Sequence, residues 1–151
     1  MAKKCVSCAK EAGFFKGIGF KIIHEKEYCP SCAEQYVRDG INGIQITTTH
    51  TVDGYKIKKY IDIESVEIVI GTGIFSEFTG EVSDFFGERS TTFEQKLQKA
   101  KRIALDRLRF SAFQKGGNAV VGIDLDYTEF SGNRIGVIAN GTIVKIEMNS
   151  K

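Results

Sequence analysis

Four cysteines near the amino terminus have the residue type and spacing of a metal site. Cys5 and Cys8 form one Cys-x-x-Cys pair, Cys29 and Cys32 form a second, and twenty residues separate the pairs. Two residues between cysteines allow both sulfurs of a tight turn to point at one ion, and two such turns supply a closed tetrahedron of thiolates. That donor set suits Zn²⁺ and leaves no open position for a substrate water. We predict one structural zinc ion per chain, held by these four residues.

Three other interpretations of the same segment are less favoured. Disulfides fit an even cysteine count, but no apolar stretch follows Met1-Ala-Lys-Lys4, so a secretory signal is absent and we expect the cytoplasm, where thiols stay reduced. A redox-active Cys-x-x-Cys motif is a second interpretation, but such a motif normally occurs once in a chain, at the start of a helix in a larger βαβ fold. His24 is a competing ligand, but four cysteines already fill the shell, so we expect it to be an exposed strand residue.

The elements around the cysteines predict a small treble-clef-like finger. Apolar residues alternate over 18–22, which favours a strand of a hairpin. Pro30 stands where a helix begins and Gly40 where it ends. A helix that starts inside the second cysteine pair directs its positive end at a formally dianionic zinc–thiolate group. Zinc binding typically supplies about 10–16 kcal/mol, enough to order a segment this short.

A glycine-punctuated joint, Asp39-Gly-Ile-Asn-Gly43, divides the chain into a finger of residues 1–40 and a second domain of residues 44–151. The chain is 42% hydrophobic and 26% charged, as globular proteins are, and it has no run of eighteen apolar residues that would span a membrane. The finger has a net charge of +2 and the rest of the chain is neutral. Nucleic-acid binders usually concentrate more positive charge than this.

The first half of the second domain has the pattern of a β-hairpin. β-Branched residues alternate over 44–51, and Asp53-Gly54 is a turn that leads into a second strand over 55–70. The apolar positions of that second strand change phase near Glu64-Ser65, which predicts a bulge. A short helix follows over 74–85.

The second half of the domain contains a long helix and two strands. The helix runs from a capping box at Thr91 to Gly116-Gly117. Strands follow over 119–130 and 134–148, the last with a phase shift at Asn140-Gly141. The order ββααββ predicts an α+β fold. The helix carries two apolar stripes, which are Phe93, Leu97, Ala100, Ala104 and Leu108, and beside them Ile103, Phe110 and Phe113. Two stripes fit either one wide core-facing surface or an additional contact surface.

Several stretches of this second domain resemble a known family. They are Ile46-Thr-Thr-Thr-His-Thr-Val-Asp-Gly54, Phe86-Gly-Glu-Arg-Ser90, Phe93-Glu94, Leu97, Ala100, Ala104-Leu105, Gly117-Asn-Ala-Val-Val-Gly122, Asp126-Tyr127 and Asn140-Gly-Thr142. Residues 43–148 are thereby similar to the YbjQ-like family, whose label refers to heavy-metal binding. The resemblance implies a dodecin-like two-layer fold that assembles into a ring, typically a homopentamer. The sequence departs from the family pattern at two positions. Gly116 replaces a leucine-like residue, and Asp62 stands where members often have glycine.

Few residues of the second domain suggest chemistry. Asp124 and Asp126 share one strand face and would suit a metal or acid–base work, but a solvated strand face is favoured. His50 is expected to be a surface residue. The domain has no cysteine, so soft metals lack their preferred thiolates there. Gly71-Thr-Gly73 and Gly116-Gly-Asn118 flank helices and are better explained as caps than as anion sites.

Three functions therefore remain open. The leading one is a non-catalytic homo-oligomer that carries zinc fingers for a partner protein. The second is a finger that binds nucleic acid or protein, with phosphate contacts from Lys3, Lys4, Lys10, Lys16 and Lys21. The third is an enzyme with sites at subunit interfaces, although no cofactor loop or nucleophile–base motif is present in the sequence.

Overall fold

A computed structural model describes residues 4–11, 19–70, 90–130 and 134–149. Its elements in chain order are β1 (Lys21–Ile23), β2 (Lys26–Tyr28), α1 (Pro30–Asn42), β3 (Gln45–Ile46), β4 (Tyr55–Ile70), α2 (Ser90–Gln114), β5 (Ala119–Phe130) and β6 (Arg134–Met148). The α+β class is confirmed. The short helix predicted over 74–85 lies outside the described residues.

The larger sheet has four strands in the order β3-β5-β6-β4. The predicted bounds of β5 and β6 are confirmed, and the two strands form an antiparallel hairpin. Strand β4 is antiparallel to β6 on its other side, at the edge of the sheet. The helix α2 packs across one face.

The hairpin predicted for residues 44–70 is wrong. Strand β3 is only two residues long and lies parallel to β5, not antiparallel to β4. The threonines that follow β3 use their hydroxyls locally: the Thr49 backbone N–H donates to Thr47 Oγ1 at 3.1 Å. Side-chain acceptors of this kind compete with a strand ladder for backbone donors. The segment after β3 is therefore a loop, tied to β5 by the Gly122 N–H, which donates to the Thr49 carbonyl at 2.8 Å.

The bulges lie partly where the phase shifts predicted them. Strand β4 shifts register between Ile57 and Lys59 and again between Tyr60 and Asp62, earlier than the predicted Glu64-Ser65. The β5–β6 ladder shifts between Val121 and Asp124, opposite the predicted Gly141. A Cβ at Gly141 would lie 2.6 Å from the Val120 side chain, so the buried bulge requires glycine.

The core lies between α2 and the sheet. The first predicted stripe is confirmed at Ala100, Ala104 and Leu108, which are fully buried. The second stripe divides, because Phe113 is buried whereas Phe110 is 41% exposed. At the end of the helix Gly116 has φ +75°, and the Gly117 N–H donates to the Ala112 carbonyl at 2.8 Å. The glycine cap predicted for α2 is confirmed.

The helix α1 begins at Pro30 as predicted but continues past the predicted end at Gly40. It reaches Asn42, and Gly43 caps it. Gly40 faces the ring of Phe113, and a Cβ there would lie 2.5 Å from Phe113 Cδ2. Gly40 therefore permits close contact between α1 and α2, and it does not end the helix.

Candidate metal centre

The first cysteine pair lies in a tight backbone turn. The Ala9 N–H donates to the Cys5 carbonyl at 3.0 Å, and the Cys5 N–H donates to the Lys10 carbonyl at 2.8 Å. The turn is joined to β2 by the Val6 N–H, which donates to the Glu27 carbonyl at 2.9 Å. These bonds hold the first pair of sulfurs beside the small β1–β2 hairpin.

The second pair lies at the start of α1. Cys29 is the N-cap residue, Pro30 occupies the first turn, and Cys32 follows one position before Ala33. The Ala33 N–H donates to the Cys29 carbonyl at 2.8 Å, which is the first bond of the helix. Both thiols thus lie near the positive end of the helix dipole, where anionic sulfur is favoured.

All four sulfurs converge. The ligand atoms of Cys5, Cys8, Cys29 and Cys32 lie within 4.8 Å of one another, and Cys8 Sγ is 3.7 Å from Cys29 Sγ. A tetrahedral zinc ion with Zn–S bonds of about 2.3 Å requires sulfur–sulfur distances of about 3.8 Å. The thiols form no disulfide. The cluster can therefore hold a metal ion, and the predicted cysteines are the residues that form it.

The thiols differ in how readily they ionise. Burial raises the pKa of the Cys5 thiol, but hydrogen bonds donated by backbone N–H groups, chiefly that of Cys29, outweigh burial and lower the pKa to about 6. The Ser31 hydroxyl, 3.5 Å from the sulfur, lowers the pKa of Cys29. Hydrogen bonds with the Cys29 and Cys8 sulfurs raise the pKa of Cys32 to about 12. Cys5 and Cys29 therefore lose their protons more readily than Cys32, from which a bound metal must displace the proton.

His24 is not part of the cluster. It is exposed as predicted, but it lies in the turn between β1 and β2 and not in a strand. Its Nε2 lies 3.0 Å from the Phe113 carbonyl and its Nδ1 lies 3.2 Å from the Tyr36 hydroxyl. Because a carbonyl only accepts, Nε2–H donates to the Phe113 carbonyl, while Nδ1 forms the hydrogen bond with the Tyr36 hydroxyl. His24 therefore joins the finger to the end of α2.

Aromatic contacts extend this junction. The ring centroid of Phe113 lies 4.8 Å from that of His24 and 5.7 Å from that of Tyr36. Ile23, Tyr36, Val37 and Ile41 pack against the main core cluster, which includes Phe113. This contact between the finger and α2 was not predicted from the sequence. Gly40, a glycine inside the helix α1, is the sequence feature that could have indicated it.

The remaining candidate residues that the structure describes do not gather into a site. Asp124 and Asp126 are exposed on β5, and His50 is exposed beside Gly122. The four cysteines are the one group of three or more metal-ligating side chains found among the described residues. Of the five lysines considered as phosphate contacts, Lys4 pairs with Glu11 at 4.0 Å, Lys10 and Lys21 are exposed, and Lys3 and Lys16 lie outside the described residues.

Of the two glycine stretches considered as anion sites, the structure describes only that at 116–118. Gly71 and Gly73 lie outside the described residues, and Gly116 acts as the cap of α2. In the described part of the chain, neither helix has the length and apolar character needed to cross a membrane.

Comparison with known proteins places residues 44–147 in one family. They match the YbjQ family, described as "Putative heavy-metal-binding". Among curated relatives, a "UPF0145 protein" of Geobacillus thermodenitrificans is 35% identical over 68% of this chain and 98% of its own length. One of Bacillus cereus is 40% identical over 67% of this chain and 98% of its own.

A solved structure is also similar. It is a protein of unknown function of the DUF74 family from Pediococcus pentosaceus, with 20% identity, a TM-score of 0.39, and coverage of 70% of this chain and 99% of that one. The family match begins at residue 44, so all four cysteines lie before it. Because the relatives are matched over nearly their whole length, the cysteine finger is an addition to the part that they share with this chain.

Proposed function

The chain belongs to the UPF0145 family, and from that premise we propose that it is a non-catalytic, zinc-binding assembly module. In this proposal the family domain forms a homo-oligomer, and each copy carries a four-cysteine finger that binds a partner. The convergence of four thiol sulfurs within 4.8 Å carries this proposal. We assign the metal to the finger, because the family domain has no cysteine and none of its described carboxylates belongs to a group of metal-ligating side chains.

Zinc is the metal that the donor set favours. Four thiolates in a tetrahedron fill the coordination shell of Zn²⁺, which then has no position for substrate. The role of the ion is to hold the knuckle at Cys5 and Cys8 onto the start of α1. Few large apolar side chains do so: the small cluster around the site consists of Cys5, Tyr28, Cys29 and Ala33, with partly buried neighbours.

Assembly is supported by the edge of the larger sheet. Strand β4 is sixteen residues long and pairs on one side only among the described strands. It exposes large apolar side chains, with Tyr60 68%, Ile63 79% and Val69 52% accessible. A long exposed edge with apolar residues favours association, and a closed ring covers every such edge. The pentameric number comes from the family resemblance alone.

Native mass spectrometry combined with elemental analysis tests both parts of the proposal. Protein purified without added metal should give about one zinc ion per chain and a mass that is a multiple of the 16.8 kDa chain. Visible colour from iron, or a metal-free protein with two disulfides, contradicts the zinc site. A single-chain mass contradicts the assembly.

The two alternative functions have separate tests. Salt-dependent retention on immobilised nucleic acid would favour a nucleic-acid-binding finger. A small molecule retained between subunits would favour an enzyme with interfacial sites. We expect neither result.

A further inference from the structure

A cleft of about 300 Å³ lies where the finger meets the end of α2. The metal knuckle contributes Ser7, α1 contributes Cys32, Tyr36 and Asp39, and α2 contributes Phe113. Its volume is at the lower end of the range for ligand sites, about 300–1,000 Å³. It has room for one long side chain but is small for a larger ligand.

The walls of the cleft combine aromatic rings with negative charge. Tyr36 and Phe113 supply the aromatic surface, with ring centroids 5.7 Å apart. The Asp39 carboxylate is exposed and has no hydrogen bond or ion pair with another described side chain. Cys32 lines the cleft and is one of the four residues of the metal cluster, so the cluster lies beside the wall. The cluster is formally dianionic when four thiolates hold Zn²⁺. None of the described residues that line the cleft is basic.

These features select an organic cation. An ammonium or guanidinium group is attracted to aromatic faces and to carboxylate, and a thiolate sulfur accepts its N–H groups. The alkyl stem of a lysine or arginine lies favourably along apolar walls while its charged end reaches the polar ones. A phosphate would be repelled by the same charges.

We propose that this cleft binds a lysine or arginine side chain of a partner polypeptide. The inference deepens the proposed function, on which it rests, by giving the chemistry of the partner that the finger binds. A polypeptide is favoured over a free amine because the knuckle presents Val6, 57% exposed, next to Ser7 at the rim. Residues that flank the bound side chain can pack on this apolar neighbour.

The test is an NMR titration of the full-length, zinc-loaded protein labelled with ¹⁵N. The probes are acetyl-Ala-Lys-Ala-amide and acetyl-Ala-Arg-Ala-amide, compared with the same peptides carrying norleucine or glutamate. The cationic peptides should shift the backbone amide signals of Gln35, Asp39 and Gly40, with dissociation constants on the order of 1–10 mM for a single anchored side chain. The neutral and acidic peptides should not shift them.

Asp39→Asn keeps the shape of the cleft and removes the charge, so it should weaken binding of the cationic peptides about threefold or more. Glu34→Gln is the matched control, because Glu34 is exposed on the same helix and does not line the cleft. It should leave the affinity unchanged. Equal weakening by both substitutions overturns the assignment of the site.

Three further outcomes overturn the inference. The first is that neither cationic peptide shifts these signals in protein that contains zinc. The second is that free spermidine binds more tightly than the lysine peptide. The third is that a single-stranded oligonucleotide displaces the peptides and shifts the same signals. Zinc is counted in every sample. A metal-free preparation therefore contradicts the proposed function, whereas a zinc-loaded protein that ignores the peptides contradicts this inference alone.

Discussion

Gly40 is the residue at which two opposing local effects can be separated. In a helix interior, alanine is more stable than glycine by about 1 kcal/mol. Here an added Cβ would overlap the ring of Phe113, which is itself buried. Overpacking of this kind costs about 1–3 kcal/mol. The clash should exceed the gain in helix propensity.

We therefore predict that Gly40→Ala lowers the free energy of unfolding by up to about 2 kcal/mol, measured by urea denaturation. Gly19→Ala is the control in the same finger, because a Cβ at Gly19 meets nothing within 4 Å. It should change stability by less than about 0.5 kcal/mol. A stabilised Gly40→Ala protein would show that α1 and α2 do not approach as described.

The cysteine cluster could be predicted from the sequence, whereas the role of His24 could not. A doubled Cys-x-x-Cys depends only on local spacing, which the sequence contains in full. The bond from His24 to the Phe113 carbonyl joins residues 89 positions apart. Such a contact depends on how the finger sits on α2, and no local pattern encodes that placement. The ion pair between the Asp62 carboxylate and Lys115, at 2.7 Å, also joins distant parts of the chain and could not be predicted from a local pattern.

At the scale of elements, a three-residue charge cluster connects the end of α2 to β4. The Lys115 ammonium pairs with both Asp62 and Glu64. Hydrogen bonds from Lys115 lower the pKa of each carboxyl, and the two carboxylates raise the pKa of Lys115. A carboxyl with a lowered folded-state pKa stabilises the protein above its unfolded-state pKa, and this contribution disappears as pH falls through the folded-state pKa. The ammonium contribution is present below its unfolded-state pKa and disappears at higher pH.

Lys115→Met should accordingly reduce stability most between about pH 5 and pH 9, where all three groups are charged in both the folded and the unfolded chain. The difference from the unmodified protein should shrink as the carboxylates protonate towards about pH 3. Thermal midpoints measured across this pH series provide the check. Lys101→Met, at an exposed position on the same helix, should show no such pH dependence. A constant difference across the series would mean that the effect is not electrostatic.

We expect the contact between the finger and α2 to make the stability of the second domain depend on the proposed metal. From the sequence, loss of metal is expected to unfold residues 1–40 and leave the rest cooperative. Tyr36 and His24 pack on Phe113, so unfolding of the finger would expose this buried ring at the end of α2. The second domain should therefore lose stability when the finger unfolds. Re-exposing a buried phenylalanine costs about 1.5–3 kcal/mol.

Cys29→Ser should therefore abolish zinc binding and leave a domain that still unfolds cooperatively but at a lower urea midpoint. Circular dichroism follows the sheet and α2, and elemental analysis counts the metal. Ser31→Ala keeps all four sulfurs and should retain about one zinc ion per chain. If the midpoint of the Cys29→Ser domain is unchanged, the two parts are energetically independent. If no cooperative transition remains, the proposed boundary near residue 43 is wrong.

Within elements, the sequence predicted periodic structure better than pairing. Helix α2 and strands β5 and β6 have strong periodicity and clear glycine or turn boundaries, and their bounds are close to those predicted. Residues 44–51 alternate like a strand, yet only Gln45–Ile46 pair, and their partner is β5, about seventy residues further along the chain. Alternation reports which face a residue occupies, and it contains no information about the neighbouring strand.

At the scale of the whole molecule, two exposed apolar surfaces are candidate sites for the proposed self-association. One is the edge and exposed face of β4, with Tyr60 and Ile63. The other is the part of α2 around Phe110 that the finger leaves uncovered. Phe113 no longer belongs to the second surface, because it packs against the finger. An arginine at Phe113 would thus test docking of the finger rather than assembly.

We predict that the protein is a closed homo-oligomer in solution at micromolar concentration and that β4 forms the subunit contact. Ile63 is 79% exposed in the single chain, so Ile63→Arg should leave the fold intact and place an unpaired charge in the contact. Light scattering should show a stable multiple of 16.8 kDa for the unmodified protein and a smaller species for the variant. Lys59→Thr, at another exposed position of the same strand, should keep the larger mass. Dissociation by Phe110→Arg, with Ile63→Arg still assembled, would transfer the contact to α2. A mass of one chain for the unmodified protein, at every concentration tested, would contradict assembly through either surface.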